Sequence, residues 1–187
     1  MAKSAAITQN RTRATISLIA AIVIGVTFLI SGSGKILQYG EVPGVSSLQF
    51  IGAILPDAWL TPGLADFMGL WFFPIILPCT ELALGTLLLL RIWPRFFAAC
   101  VLPLTGAFMV NNIWYIRQGD LKFTDCDCFG IWRIFLGSFT HVTSLYLDIA
   151  LFALALTIVL VHPGGVFASP PWLPKREQAT TKRKAKA

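Results

Sequence analysis

Two closely spaced cysteines are the residues in this sequence best suited to chemistry. Cys126 and Cys128 are separated only by Asp127, and a disulfide between them would close a small ring of strained geometry. Strained disulfides are reduced more easily than structural ones, so this spacing favours thiol–disulfide exchange. Asp125 and Asp127 oppose that chemistry, because nearby negative charges raise thiol pKa values and slow thiolate attack.

Two other interpretations of the pair stay open. Carboxylates and thiolates together could bind a borderline cation, with Asp125, Cys126, Asp127 and Cys128 as the candidate ligands. Alternatively, the two cysteines only stabilise their loop. The other two cysteines, Cys79 and Cys100, lie in apolar segments and are expected to be inert core residues without a mutual bridge.

A second group of polar residues lies inside otherwise apolar stretches. Ionisable groups at membrane depth are costly and usually face a partner or a cavity. They either hold helices together or line a proton route or ligand pocket, and the candidate walls of such a pocket are Trp71, Phe72, Phe73, Trp114 and Tyr115. The intramembrane polar residues themselves are Lys35, Glu81, Asn111, Asn112 and Asp148.

The elements that must position these residues are membrane helices. The 187 residues are 56% hydrophobic and 13% charged, whereas a soluble domain has about 25% charged residues. A mean hydropathy of +0.71 leaves more apolar surface than a small soluble domain can bury. Four apolar stretches long enough to cross a bilayer predict an all-α four-helix bundle with spans at about 14–34, 67–90, 96–116 and 142–161.

The cations predict the orientation of the bundle. Four of them, Lys35, Arg117, Lys122 and Arg133, fall on one side. By the positive-inside rule the other side is cytoplasmic and holds both termini. That side carries the remaining eleven Lys and Arg residues, which are Lys3, Arg11, Arg13, Arg91, Arg95, Lys175, Arg176, Lys182, Arg183, Lys184 and Lys186.

This orientation divides the chain into three parts. Residues 1–14 form a basic cytoplasmic N-terminus, 15–162 the membrane domain, and 163–187 a basic and disordered cytoplasmic tail. We expect a multi-pass protein of the inner cell membrane with Cys126 and Cys128 outside, and no nucleic-acid partner. A rival interpretation makes the first span a cleaved signal peptide, but its apolar stretch is about twice a typical signal core.

The connection between the first two spans has helical features. Apolar residues at helix-like spacing within Val45–Trp59 predict a short external interfacial helix. Thr61 and Pro62 supply a cap and a first-turn proline for the second span. Pro74 and Pro78 inside that span are expected to bend it, because each removes a backbone donor.

Three local sequences resemble the MauE and DoxX group of four-helix membrane proteins. They are Ser33-Gly34-Lys35, the stretch from Pro78 to Gly85 that contains Glu81, and Cys126-Asp127-Cys128-Phe129-Gly130. The resemblance implies a redox-associated protein, related in architecture to vitamin K epoxide reductase-like enzymes. In the methylamine-utilisation branch it implies help in maturing a disulfide-rich exported dehydrogenase subunit. Carried over, Cys126 and Cys128 are the thiol pair, and Lys35 and Glu81 are the polar positions inside the bundle. Asp127 departs from the glycine common there, and the chain has no second external cysteine pair.

The leading functional hypothesis is therefore thiol–disulfide exchange with an exported protein, in the manner of an oxidoreductase. The sequence specifies no cofactor, and quinone is the candidate electron acceptor. The alternative is a non-catalytic accessory or scaffold subunit that docks with the subunits of a larger membrane complex. A third hypothesis, a small-solute or metal transporter, is disfavoured because the chain has no internal repeat.

Overall fold

The computed structural model of the chain describes residues 2–38, 50–53, 55–56, 61–118, 127–137 and 139–163. These residues are almost entirely helical and contain no β-strand. The helices are α1 (Ala2–Leu37), α2 (Pro62–Leu89), α3 (Pro94–Gln118), α4 (Arg133–Leu136) and α5 (His141–Val161), with a 3-10 turn at Asp127–Trp132 before α4.

Four of these helices are long and apolar enough to cross a membrane. They are Arg11–Leu37 within α1, and the whole of α2, α3 and α5. Their backbone polar groups are satisfied within each helix, and many large apolar side chains face outward, as a lipid environment requires. The predicted all-α four-helix membrane fold is confirmed.

Several predictions concern residues that the structure describes only in part. Within Val45–Trp59, residues 50–53 are helical, and most of the remaining predicted interfacial helix lies outside the described residues. Asp125, Cys126 and residues 164–187 of the basic tail lie outside them as well. Of Asp127 and Cys128, the backbone alone is described.

Helix α2 begins as predicted and then changes its hydrogen-bond spacing. The Thr61 hydroxyl accepts a bond from the Leu64 N–H at 3.3 Å, and Pro62 occupies the first turn. Met68–Ile76, which contains Pro74, forms a π-helical segment, and the Leu77 N–H donates to the Phe72 carbonyl five residues back. The missing donor at Pro74 therefore lies within a stretch of wider hydrogen-bond spacing.

The contacts between the four long helices run from α2 through α1 and α5 to α3, and a smaller contact joins α3 to α2. Helix α1 packs against α2 and α5, and α3 packs mainly against α5. Glycines allow α1 and α2 to approach closely, since a Cβ on Gly25 would lie 2.9 Å from the Gly85 carbonyl oxygen. The apolar core fills the space between the helices and consists of Ala20, Ala21, Ile24, Phe28, Leu84, Leu88, Ala98, Val101, Leu151, Ala155 and Ile158.

Candidate functional site

A buried ion pair joins α1 to α2. The Lys35 ammonium bonds the Glu81 carboxylate at 2.5 Å, and the Ser31 hydroxyl donates to the other oxygen of the same carboxylate at 2.8 Å. Glu81 is only 1% exposed, and these two bonds give each of its carboxylate oxygens a protein partner in place of water. Ser31 and Lys35 are four residues apart and therefore lie on one face of α1.

The helix register places this pair toward one end of the bundle. Gly25, in the middle of the α1 span, packs against Gly85, which lies one turn before the end of α2, and Gly32 lies against the Pro78 carbonyl. Because α1 and α2 run antiparallel, Glu81 lies level with the last two turns of α1. We call this side of the bundle the Lys35 end, and the opposite side the Arg95 end.

A second buried polar group joins α3 to α5. The Asn112 amide nitrogen donates to Asp148 Oδ2 at 2.9 Å, and its Oδ1 accepts a bond from His141 Nδ1 at 3.0 Å. Tyr115 stacks on the His141 ring with centroids 4.7 Å apart. Asn112 and Asp148 are 2% and 8% exposed, so the amide bridges a titratable ring near the helix end to a buried carboxylate.

The two polar groups form one electrostatic cluster at the Lys35 end. Lys35 and Glu81 both act electrostatically on the Asp148 carboxylate. The Lys35 ammonium also lies 5.3 Å from the centre of the Phe108 ring of α3, so this residue contacts two neighbouring helices. With Lys35 and both carboxylates ionised, the cluster holds two negative charges against one positive charge.

The two adjacent asparagines predicted for this site have different environments. Asn112 bridges His141 and Asp148 as described. The Oδ1 of Asn111 is buried and has no hydrogen-bond partner among the residues that the structure describes. The structure therefore brings together Lys35, Glu81, Asn112 and Asp148, and it assigns Asn111 no bond to them.

The 3-10 turn that contains Cys128 packs on the last turns of α1. The backbones of Gly34 and Gly130 touch, because a Cβ on either glycine would collide with the backbone opposite. Gly130 adopts φ 53°, a conformation that favours glycine. The Trp132 indole N–H donates to the Ser33 hydroxyl at 3.0 Å, so a side-chain bond reinforces the backbone contact.

This contact brings the backbone of Cys128 close to the buried cluster. Cys128 is two residues from Gly130, at most about 7 Å along an extended chain, and Gly34 directly precedes Lys35.

Among the described residues, no group of three or more His, Cys, Asp or Glu could hold a metal ion. Metal binding by Asp125, Cys126, Asp127 and Cys128, one of the alternatives to thiol exchange, involves undescribed side chains and is not tested by this result. Cys79 and Cys100 are free thiols, but the predicted core position is wrong for Cys79, which is exposed on the outward face of α2, and Cys100 is half-buried.

A smaller polar cluster lies at the Arg95 end. Ser17 of α1 is hydrogen-bonded to His162 Nδ1 at 3.0 Å, and the Arg95 side chain donates to the Val159 carbonyl near the end of α5 at 2.9 Å. Burial, followed by the charges of Arg91 and Arg95, lowers the pKa of His162 below its usual 6.5. These contacts join α1, the start of α3 and the end of α5.

Three partners of the predicted residues were not anticipated from the sequence. Ser31 lies one helical turn before Lys35, and His141 lies two turns before Asp148, so helical spacing could have identified both. No local pattern identifies Trp132 as a partner of Ser33, because that bond joins residues from distant parts of the chain.

Comparison with known protein families gives a match that covers the membrane helices. The model of the family described as methylamine utilisation protein MauE matches residues 13–161, which include all four membrane helices and the buried cluster. No curated protein and no solved structure gives a match. The match covers most of the chain, and the chain therefore belongs to the MauE family, a family of membrane proteins of methylamine utilisation.

Proposed function

We propose that this membrane protein takes part in thiol–disulfide exchange with exported proteins through Cys126 and Cys128. The observation that carries the proposal is the contact between the Cys128 turn and α1, at Gly34 and Gly130. Because this contact holds the Cys128 backbone at the edge of the buried charge cluster, it supports a role in which thiols and protonatable groups act together.

The proposed exchange takes place in two steps. A thiolate of the exported protein attacks the Cys126–Cys128 disulfide, so that a mixed disulfide forms and one cysteine of the pair leaves as a thiolate. A second thiolate of the exported protein then attacks the mixed disulfide and releases the protein oxidised. Two electrons remain on Cys126 and Cys128, which take up two protons as thiols.

Reoxidation of the pair requires an acceptor of two electrons and two protons. A quinone has this stoichiometry and dissolves in the bilayer, so we propose it as the acceptor. Glu81 and Asp148 are carboxylates that can exchange protons, and Lys35 and Asn112 supply hydrogen-bond donors beside them. The polar cluster at the Lys35 end is therefore the proposed site for the proton exchange that accompanies reoxidation.

We propose that the exchange takes place on the external side of the inner membrane. The distribution of cations supports an inner-membrane protein with both termini in the cytoplasm and the Lys35 end outside. An exported partner would then meet Cys126 and Cys128 directly. The proposed division of the chain is a membrane domain at 15–162 between basic cytoplasmic segments at 1–14 and 163–187.

The test compares two double variants that each remove two thiols. We expect Cys126→Ser/Cys128→Ser to leave exported cysteine proteins reduced, measured by thiol trapping of intact cells and separation on non-reducing gels. Cys79→Ser/Cys100→Ser is the matched control, and it should leave their oxidation unchanged because both residues lie within apolar helices.

Three outcomes would contradict the proposal or part of it. Unchanged oxidation of exported proteins in the Cys126→Ser/Cys128→Ser variant would exclude exchange through this pair. Retention of a stoichiometric membrane complex by that variant, with unchanged oxidation, would instead favour the accessory or scaffold function. Failure of a membrane-impermeant thiol reagent to label Cys126 and Cys128 after reduction would overturn their external placement.

A further inference from the structure

A short run of exposed apolar side chains follows the Cys128 turn. Ile134 and Phe135 of α4 are 73% and 79% exposed, Leu136 is 50% exposed, and Ile131 before them is 38% exposed. We call Ile131, Ile134, Phe135 and Leu136 the apolar wedge. Exposed apolar side chains in a contiguous group mark contact with a membrane or another molecule.

The segments of chain before and after the wedge limit how far it can lie from the membrane helices. The preceding turn packs on Ser33 and Gly34, in the last turns of the α1 span that ends at Leu37. The α5 span begins at His141, five residues after Leu136, which limits the distance between them to about 18 Å. The wedge therefore lies at the level of the bilayer boundary.

The chemistry around the wedge fits that boundary. Trp132 directly precedes α4, and tryptophan is enriched at membrane–water interfaces. Arg133 lies in the same helical turn and supplies a cation at the level of lipid headgroups. At the same end of the bundle, Tyr146 of α5 is 69% exposed and is a second aromatic residue of the kind enriched at membrane interfaces.

We infer that the apolar wedge inserts into the lipid leaflet at the Lys35 end and anchors the Cys128 turn at the membrane surface. Lipid is the occupant because the wedge lies at the same depth as the ends of the α1 and α5 spans, whose outward side chains face lipid. Insertion removes its side chains from water without a protein partner. The inference does not depend on thiol exchange, since it concerns where the turn lies and not what its cysteines do.

The first experiment measures membrane depth at single positions. All four cysteines are replaced by serine, and a nitroxide is attached to cysteine introduced by Ile134→Cys or Phe135→Cys in liposomes of phosphatidylcholine and phosphatidylglycerol. We expect collisions with oxygen to exceed collisions with a water-soluble nickel complex at both positions. Leu160→Cys, at a 69% exposed position of the α5 span, is the lipid reference, and Gln9→Cys, at an exposed position of α1 before its span, is the water reference.

Two results would overturn the inference. Nickel accessibility at Ile134 and Phe135 equal to that at Gln9 would place the wedge in water. Low accessibility to both reagents, below that at Leu160, would show that protein covers the wedge, as in contact with a second copy of the chain.

A second variant tests the same inference without removing the native cysteines. Ile134→Asp/Phe135→Asp places two charges in the wedge and should expel it from the lipid. We expect faster backbone hydrogen exchange at 129–136 in liposomes, with unchanged exchange in α5. Thr140→Asp is the matched control at an exposed polar position, and equal exchange at 129–136 in both variants would contradict the inference.

Discussion

At the scale of single residues, the buried carboxylates differ in how their charge is balanced. Glu81 has a cation on one oxygen and a hydroxyl on the other. Asp148 accepts a hydrogen bond from the Asn112 amide nitrogen, and the oxygen of the same amide accepts one from the His141 ring. The Lys35–Glu81 pair is therefore neutral and structural in character, whereas Asp148 is the carboxylate better suited to exchanging a proton.

The neutrality of the pair leads to a prediction about its removal. Lys35→Met leaves the 1% exposed Glu81 carboxylate without its cation, and we expect it to lower the free energy of unfolding by about 3–5 kcal/mol. Lys35→Met/Glu81→Leu removes both charges and should recover most of that loss. The measurement is reversible unfolding in detergent micelles. A single variant as stable as the native protein would show that the pair contributes nothing.

At the scale of elements, the short turn before α4 is held by backbone contact and not by a large core. Gly34 and Gly130 meet without side chains between them, and Trp132 adds one hydrogen bond to Ser33. Such contacts depend on shape, because an added methyl group has no space to occupy. The positions of both glycines are therefore as important for this turn as the identity of any polar residue.

Two glycines with positive φ provide a matched test of this contact. Gly130→Ala and Gly137→Ala both place an alanine where φ is positive, at 53° and 81°. A Cβ at Gly130 collides with the Gly34 backbone, whereas nothing lies within 4 Å of a Cβ at Gly137. We expect Gly130→Ala to lower the thermal unfolding temperature further and to speed maleimide labelling of Cys128 in a Cys126→Ser background. Equal behaviour of the two variants would show that the turn is not docked on α1.

The sequence predicted these elements to different degrees. The gaps between charged residues were sufficient to predict four membrane helices, because charge is excluded from lipid along a whole span. The sequence also predicted Lys35, Glu81, Asn112 and Asp148 as polar residues inside the spans, but not the bonds between them, because these depend on how each helix is rotated toward its neighbours. The π-helical form of Met68–Ile76 was not predicted, because a proline in a helix can be accommodated in several ways and packing with neighbouring residues selects one.

At the scale of the whole molecule, the two ends of the bundle use different means of joining helices. At the Lys35 end, α1, α2 and α5 contribute ionisable groups, and α3 contributes the amide of Asn112. At the Arg95 end, cations lie in the short α2–α3 turn and at the start of α3, and a histidine after α5 bonds Ser17. The proposed chemistry is therefore confined to one end, and the other end holds the helix termini together.

The Arg95 end should make stability depend on pH. Since the pKa of His162 is lowered in the folded protein, the unfolded chain binds a proton more readily below pH 6.5. The unfolding free energy is then highest above pH 6.5 and falls as the pH drops through the lowered pKa. We expect His162→Gln to reduce this dependence, measured by thermal unfolding between about pH 5 and 8. His141→Gln is the comparison, and an unchanged profile in His162→Gln would assign the pH dependence to other groups.

The ion pair between α1 and α2 has a consequence for biosynthesis. A lone Glu81 entering the bilayer within α2 would carry an unpaired charge through hydrocarbon, and Lys35 at the end of α1 supplies the opposite charge on the helix that precedes it. The two helices are synthesised in succession and cross at Gly25 and Gly85. Insertion of α1 and α2 together, as a hairpin with the two charges already paired, avoids an unpaired charge in the membrane.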